Sequence, residues 1–394
     1  MKKKNAVFLC ILTAITFSLM SFFLTSFFMR SSDNGRIYID KNEYKEYMRF
    51  FELKEIADLV DEQYYGQTDR ENVILGSLEG SVNILNDGYS RFYPAEDYKW
   101  FDGAEEISGI SQGLMLEKDK KTGYIRVSRV FADTSGYEAN VLKGDVITSI
   151  DGRDTREIDV ENALARLNGQ SGTSAKLTII PSDGGDEVEI SIDRRVDEIG
   201  LVYDDMLTSQ IGYVSVVEFG KGCAQELEDI LKALDENGAK KLIIDLRGVS
   251  TGYLSSAVSC ADMFLSDGII ARQYDNKDTK AKWGADASVK WSKPVVILTD
   301  AKTSGCAEVF TAALKDNGAA QTVGEKTAGR AITSKYFELN DSGDGVRLIT
   351  GGYTSPNGTD LASEGIAPDV EAKNDDDTSK KQDAQVEAAL KLLE

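Results

Sequence analysis

Two short runs constrain this chain more than any other feature. Lys241–Leu246 (KLIIDL) and Pro294–Leu298 (PVVIL) are almost continuously apolar. A strand with one face in water alternates apolar and polar residues. A strand that is apolar at nearly every position is covered on both faces, as central strands of a parallel sheet are when helices flank them. The surrounding pattern agrees. Gly212–Val217 reads as a strand, Ala224–Asn237 as a helix stopping at Gly238, Leu254–Phe264 as a helix, and Cys306–Leu314 as a helix ending at Asp316-Asn317-Gly318. This rhythm, running from Ile199 to Val370, predicts a layered α/β domain with largely parallel central strands.

Upstream the period changes. Between Glu105 and Val196 short apolar runs recur at Leu114–Leu116, Tyr124–Val130, Val146–Ile150, Lys176–Ile180 and Glu187–Ile192, with a short helix at Val160–Leu167. Short strands in this density predict a compact, partly open β-barrel. Further upstream, Glu43–Tyr64 and Asn72–Leu85 read as helices of a lead-in ending near Trp100. The first offers Tyr47, Phe50, Phe51, Ile56, Leu59 and Val60 for one broad apolar face. Asn374–Lys381 is a charged, solvated run, and the last dozen residues suit a short helix.

The N-terminus sets the location. Met1-Lys2-Lys3-Lys4 precedes Asn5–Met29, a stretch without a charged residue. At about 1.5 Å per residue it spans the roughly 30 Å hydrocarbon core of a bilayer. The three lysines favour the cytoplasmic side, so the expectation is a single-pass anchor with the bulk of the chain outside the cytoplasm. A cleaved signal peptide is the alternative, but the apolar run is long for one and no clear A-x-A site follows.

Composition narrows the chemistry. With 66 acidic against 45 basic residues the net charge is −21, which repels nucleic acid. The chain has no histidine, so a Ser-His-Asp triad, a Cys-His pair and a His-ligated metal are excluded together. No cofactor or metal is implied. The cysteines, Cys10, Cys223, Cys260 and Cys306, have no CxxC spacing and read as buried thiols rather than a disulfide framework.

Five segments carry a resemblance. They are NDGYSRFYPAEDYKWF, VLKGDVITSIDG, IGYVSVVEFGKGCAQELEDILKALDENGAKKLIIDLRG, SGCAEVFTAALKDNGAAQTVGEKTAGR and GYTSPNGTDLASEGIAPDV, in this order along the chain. Together they resemble the landmarks of the carboxyl-terminal processing peptidases, a family of serine endopeptidases, from about Phe50 to Val370. The resemblance implies a crotonase-like layered core with an inserted PDZ domain, a helical lead-in and an N-terminal transmembrane helix. It divides the chain at 1–30 (basic tip and anchor), 31–104 (stalk and lead-in), 105–197 (PDZ), 198–372 (peptidase-like core) and 373–394 (charged tail).

A PDZ domain adds a ligand strand to a sheet edge and holds the terminal carboxylate with backbone amides. Gln112-Gly113-Leu114-Met115-Leu116 matches the loop that does this, with Gly113 freeing the backbone and Leu114 and Leu116 expected to line a pocket for the last side chain. Met115 stands where many such loops carry a second glycine.

In the family a Ser-Lys pair cuts the chain, often helped by a Gln. The resemblance carries the nucleophile to Gly305, three residues before Glu308, the base to Arg330, 25 residues further on, and the helper to Ser334. Glycine has no nucleophile. Arginine stays protonated and cannot accept a proton from a hydroxyl, although it can bind a carboxylate bidentately. Serine is a short substitute for glutamine. The family's Asp-Leu-Arg-x-Asn-Pro-Gly-Gly run appears as Asp245-Leu246-Arg247-Gly248-Val249-Ser250-Thr251-Gly252. Gly252 is the candidate oxyanion amide, and Asp245 with Arg247 reads as a structural pair. Ser304 and Cys306 flank the empty position. Ser304 is the candidate relocated nucleophile, with Lys302, Lys326 and Lys335 nearby in sequence, and its competing role is a helix N-cap. Two functions follow. One is a peptidase relative that has lost its machinery and binds protein C-terminal tails, unstructured polypeptide or an active family relative. The other is a working serine endopeptidase rearranged around Ser304.

Overall fold

The computed structural model describes residues 16–18, 20–21, 40–101, 108–276, 278–339, 342–374 and 383–394. They fall into two compact units, residues 1–77 and 78–394. The expected anchor at Asn5–Met29 lies outside the described residues apart from five positions. Among the described residues no helix is long and apolar enough to cross a membrane.

The N-terminal helices are α1 (Lys41–Gln63) and α2 (Arg70–Asn83). The expected apolar stripe on α1 does not form a buried face. Phe50, Phe51, Ile56 and Leu59 are exposed, and Ala57 is the buried apolar residue. The reason is local: apolar side chains are scattered around α1 rather than gathered on one side.

The larger unit opens with β1 (Arg91–Tyr93) and a short helix α3 (Ala95–Tyr98). A seven-stranded antiparallel sheet follows. It is built from β2 (Ile110–Ser111), β3 (Leu114–Lys118), β4 (Ile125–Val130), β5 (Val146–Ile150), β6 (Arg153–Asp154), β7 (Ser174–Ile180) and β8 (Val188–Asp193). Short helix α4 (Ser135–Glu138) and α5 (Val160–Asn168) accompany it. Its core is Leu114, Ile125, Ile147, Ile150, Leu177 and Ile192 from the strands with Leu167 from α5, all almost fully buried. Each such side chain contributes roughly 1.5–3 kcal/mol of burial. The two-residue turn Gln112-Gly113 joins β2 to β3, pairing Ser111 with Leu114, and both turn residues have positive φ (52° and 75°). Leu114 is therefore fully buried in this core, and supports the loop instead of lining an open pocket.

Asp97 of α3 ties the lead-in to this sheet. It accepts from Arg153 at 3.0 Å and pairs with Arg166 of α5, Asp97 being 3% and Arg166 5% exposed. Asp97→Ala leaves two arginines without their buried partner. It is expected to cost about 3–5 kcal/mol in a urea titration, far more than a surface pair would.

The remaining elements are β9 (Val202–Met206), β10 (Ile211–Val216), α6 (Cys223–Glu236), β11 (Lys241–Asp245), α7 (Leu254–Asp262), β12 (Ile269–Asp275), β13 (Thr279–Gly284), β14 (Val295–Thr299), α8 (Cys306–Asp316), β15 (Gln321–Gly324), β16 (Ile332–Glu338), β17 (Gly345–Thr354), β18 (Val370–Glu371) and α9 (Ala384–Leu393). They form the layered α/β domain. A six-stranded sheet runs β18-β15-β14-β11-β10-β9, parallel except for β9. The apolar runs β11 and β14 sit in its middle. Leu242 and Ile244 face the large core that includes α6, α7 and α8, while Ile243 faces the opposite layer with Ala389 and Leu393 of α9. Covering the second face is the work of α9, the short helix expected of the last dozen residues, so this part of residues 373–394 packs on the sheet. Helix α6 buries Leu227, Leu231 and Leu234 and ends where Gly238 takes φ 93°.

A second, antiparallel sheet made of β1, β17, β12, β13 and β16 completes the unit. Sequence reading missed it, and also missed that Arg91–Tyr93 is a strand paired to β17.

Candidate active site

The turn between β14 and α8 is the centre of the candidate site. Asp300 folds it: its Oδ1 accepts from the backbone amides of Lys302 (3.0 Å), Thr303 (2.8 Å) and Gly248 (3.0 Å). The Thr303 hydroxyl donates to the Leu246 carbonyl at 2.9 Å and the Ser304 amide to the Val249 carbonyl at 2.9 Å, so this turn is stitched to the segment after β11. The chain then bends sharply at Gly305 (φ 63°, ψ −125°) into α8. That backbone is costly for any residue with a Cβ. It makes Gly305 the N-cap, so the expected capping role of Ser304 is displaced by one residue.

Glu308, fully buried, organises everything around this bend. Its carboxylate accepts from the amides of Gly305 (3.0 Å), Gly329 (2.6 Å) and Arg330 (2.8 Å) and from the Thr327 hydroxyl (2.6 Å). The expected nucleophile and base positions, Gly305 and Arg330, are thus fixed to one side chain. Close approach requires glycine at 329, where a Cβ would lie 2.9 Å from the Gly365 amide nitrogen.

What the site carries is less than what its frame supports. Among the described residues a Cβ at Gly305 would meet only the Ser250 carbonyl oxygen, at 3.4 Å, so there is room for a side chain that the sequence does not supply. The Arg330 side chain is exposed, its guanidinium 5.9 Å from the Tyr89 ring centroid. Ser304 is 5% exposed, and among the described residues no hydrogen bond joins its hydroxyl to a lysine. Lys302, Lys326 and Lys335 are all exposed, and Lys302 reaches toward Glu117 at 4.0 Å. A lysine base needs desolvation, which none of these positions provides. The Cys306 thiol donates to the Gly252 carbonyl at 3.2 Å.

Gly252 has φ 131° and lies so close to Phe219 that a Cβ would sit 2.8 Å from its backbone. The thiol contact of Cys306 places Gly252 beside the bend. Asp245 and Arg247 form the expected structural pair at 2.5 Å, and Arg247 also binds Asp383 (2.8 Å) and Gln385 (3.0 Å), which anchors α9.

Two contacts link the α/β domain to the part of the chain that carries Gly113–Leu116. Ser334 accepts from Arg347 Nε at 3.1 Å, and Arg347 pairs with Glu161 on α5. Glu218, beside Phe219, accepts from the Ser108 hydroxyl and the Gly109 amide, both at 3.0 Å. Burial pushes the Glu218 carboxyl up while these donors pull it down. Met115 packs against the large core of the α/β layer. Neither Glu161–Arg347 nor Glu218 is suggested by spacing in the sequence.

The frame is thus a parallel α/β layer with a strained turn into a helix, joined to a small antiparallel sheet with a glycine-turn hairpin. Residues 210–372 match the model of peptidase family S41, and residues 105–180 match that of the PDZ domain. The carboxy-terminal processing protease CtpA of Bacillus subtilis (strain 168) is 28% identical over 367 residues, 93% of this chain and 76% of that protein. A probable CtpA-like serine protease of Staphylococcus aureus (strain N315) is 27% identical over 81% of this chain, which spans 64% of that protein's length, under two thirds. Among solved structures, photosystem II D1 C-terminal processing protease aligns with 82% of this chain and 86% of its own at a TM-score of 0.56 and 20% identity, a likeness of fold. By these matches the chain is a relative of the carboxyl-terminal processing proteases, with an S41 peptidase core and a PDZ domain.

Proposed function

We propose that this protein is a membrane-anchored member of the family that recognises polypeptide C-terminal tails outside the cytoplasm and has lost its peptidase activity. One observation carries this reading. Glu308 holds both catalytic turns in place, yet the residues it positions are Gly305 and Arg330, which supply neither a nucleophile nor a base. A frame without its reacting groups is what a protein retained for binding would keep. The positively charged tip and uncharged Asn5–Met29 support the anchor. The hairpin at Gln112-Gly113, with Leu116 and the edge of β3, supports tail recognition, the names of the relatives adding that such tails are what they process.

Tail recognition is tested with peptides of randomised sequence ending in an apolar residue, presented to residues 31–394 on a sensor surface. A free C-terminal carboxylate is expected to bind at least tenfold more tightly than the same peptides amidated, since the loop amides have no anion to hold in the second case. Equal binding of both would remove the PDZ loop from the account.

A further inference from the structure

We infer that Cys223 and Cys260 form a disulfide when the chain folds in an oxidising compartment, stapling α6 to α7 behind the Gly252 loop. The two sulfurs lie 3.9 Å apart, and both residues are fully buried in one apolar core. A disulfide needs about 2.05 Å, so forming the bond closes the gap between the sulfurs by roughly 2 Å. The cysteines are 37 residues apart in sequence, far outside any spacing that marks a pair, so only the fold reveals them. Cys223 is the first residue of α6, and α7 starts two residues after Gly252. The bond would therefore tie down the helix that follows the candidate oxyanion loop.

The chemistry is thiol–disulfide exchange with an external disulfide, whether a small molecule or a protein. One cysteine thiolate attacks a sulfur of that disulfide and expels a thiolate, giving a mixed disulfide. The second cysteine thiolate attacks the protein sulfur of the mixed species and expels the other thiolate. Two cysteine thiols are oxidised, one external disulfide is reduced to two thiols, and the two protons lost by the cysteines end on those thiols. Timing follows from burial. The adjacent Cys223 thiol, then desolvation, push the Cys260 thiol well above its usual range, so the folded dithiol is a poor nucleophile. The bond forms before the core closes, and once formed is shielded from reductants. This inference rests on the proposed placement outside the cytoplasm and not on whether the protein cuts or only binds.

The full chain, reduced and unfolded, is refolded in a buffer of reduced and oxidised glutathione, then alkylated in denaturant without reduction. Of the four cysteines, two should resist alkylation, and peptide mapping should find Cys223 linked to Cys260. The oxidised chain should melt on the order of 5–10 °C above the reduced chain, because the closed loop restricts the unfolded state. Cys223→Ala/Cys260→Ala should melt at one temperature in both buffers. Alkylation of all four thiols, linkage through Cys306 or Cys10 instead, or equal melting of the oxidised and reduced wild type would each overturn the inference.

Discussion

Glu308→Ala is expected to destabilise the large unit by on the order of 5 kcal/mol, more than any single truncation in the apolar core. Each buried donor left without a partner costs about 1–3 kcal/mol. Three backbone amides and one hydroxyl lose their shared acceptor at once, the last of them on the buried Thr327. No rotamer of a neighbour replaces an acceptor that sits among four converging donors, and the alanine leaves a cavity beside them. Glu308→Gln keeps one acceptor oxygen but turns an amide NH₂ toward the remaining donors, so roughly half of the loss is expected to persist. Urea unfolding monitored by tryptophan fluorescence measures both. If Glu308→Ala unfolded within about 1 kcal/mol of wild type, the two catalytic turns would have to be held by something other than this carboxylate.

The second large effect is a gain. Gly305→Ser/Arg330→Lys/Ser334→Gln, in residues 31–394, is expected to raise cleavage of an unstructured protein at least ~100-fold over wild type, the range that positioned acid–base groups contribute. The frame admits the change. At 305, among the described residues, the only contact awaiting a Cβ is the Ser250 carbonyl oxygen at 3.4 Å. The positive φ there carries about 1–2 kcal/mol of strain for serine, and sharp nucleophile turns bear such strain. At 330 the backbone is already fixed by Glu308, so a lysine enters in a defined place. At 334 a longer side chain competes with Arg347 for space and charge, so Arg347 must leave Ser334 to stay with Glu161. A fluorophosphonate probe labelling the introduced hydroxyl is the independent readout. A folded triple variant that neither cuts nor labels would show that more than these three side chains separates this protein from its active relatives.

How much of this was visible in the sequence depends on how one-sided each element is. β11 and β14 were legible because both faces are buried, and a run such as Leu242-Ile243-Ile244 has no soluble alternative. The helices behind them were legible from the three-to-four-residue spacing of Leu227, Leu231 and Leu234. The antiparallel sheet was not. β13 and β16 are half exposed, with mixed side chains that announce no period, and β1 is three residues long. Its partner β17 lies some 250 residues further along, a pairing that no local signal encodes.

The candidate site divides in the same way. Gly305, Arg330 and Ser334 could be found by counting from Glu308, since spacing survives when chemistry is lost. That Glu308 bonds both turns could not be counted. It follows from the fold bringing Thr327-Ala328-Gly329 against the bend, where the Ala328 amide meets the Thr303 carbonyl at 2.9 Å. The peptide loop shows the opposite failure. Leu114 and Leu116 were both read as pocket residues from a motif, but the tight Gln112-Gly113 turn commits Leu114 to the core. Ser334 was read as a shortened helper, whereas its hydroxyl serves Arg347, whose other partner, Glu161, is 186 residues away.

The most direct test of the central claim is cleavage of an unstructured protein by wild-type residues 31–394, run beside Ser304→Ala. The expected result is no cleavage by either, with tail peptides still bound by both. Cleavage by wild type that disappears in Ser304→Ala would show a relocated nucleophile, and the protein would be a working peptidase.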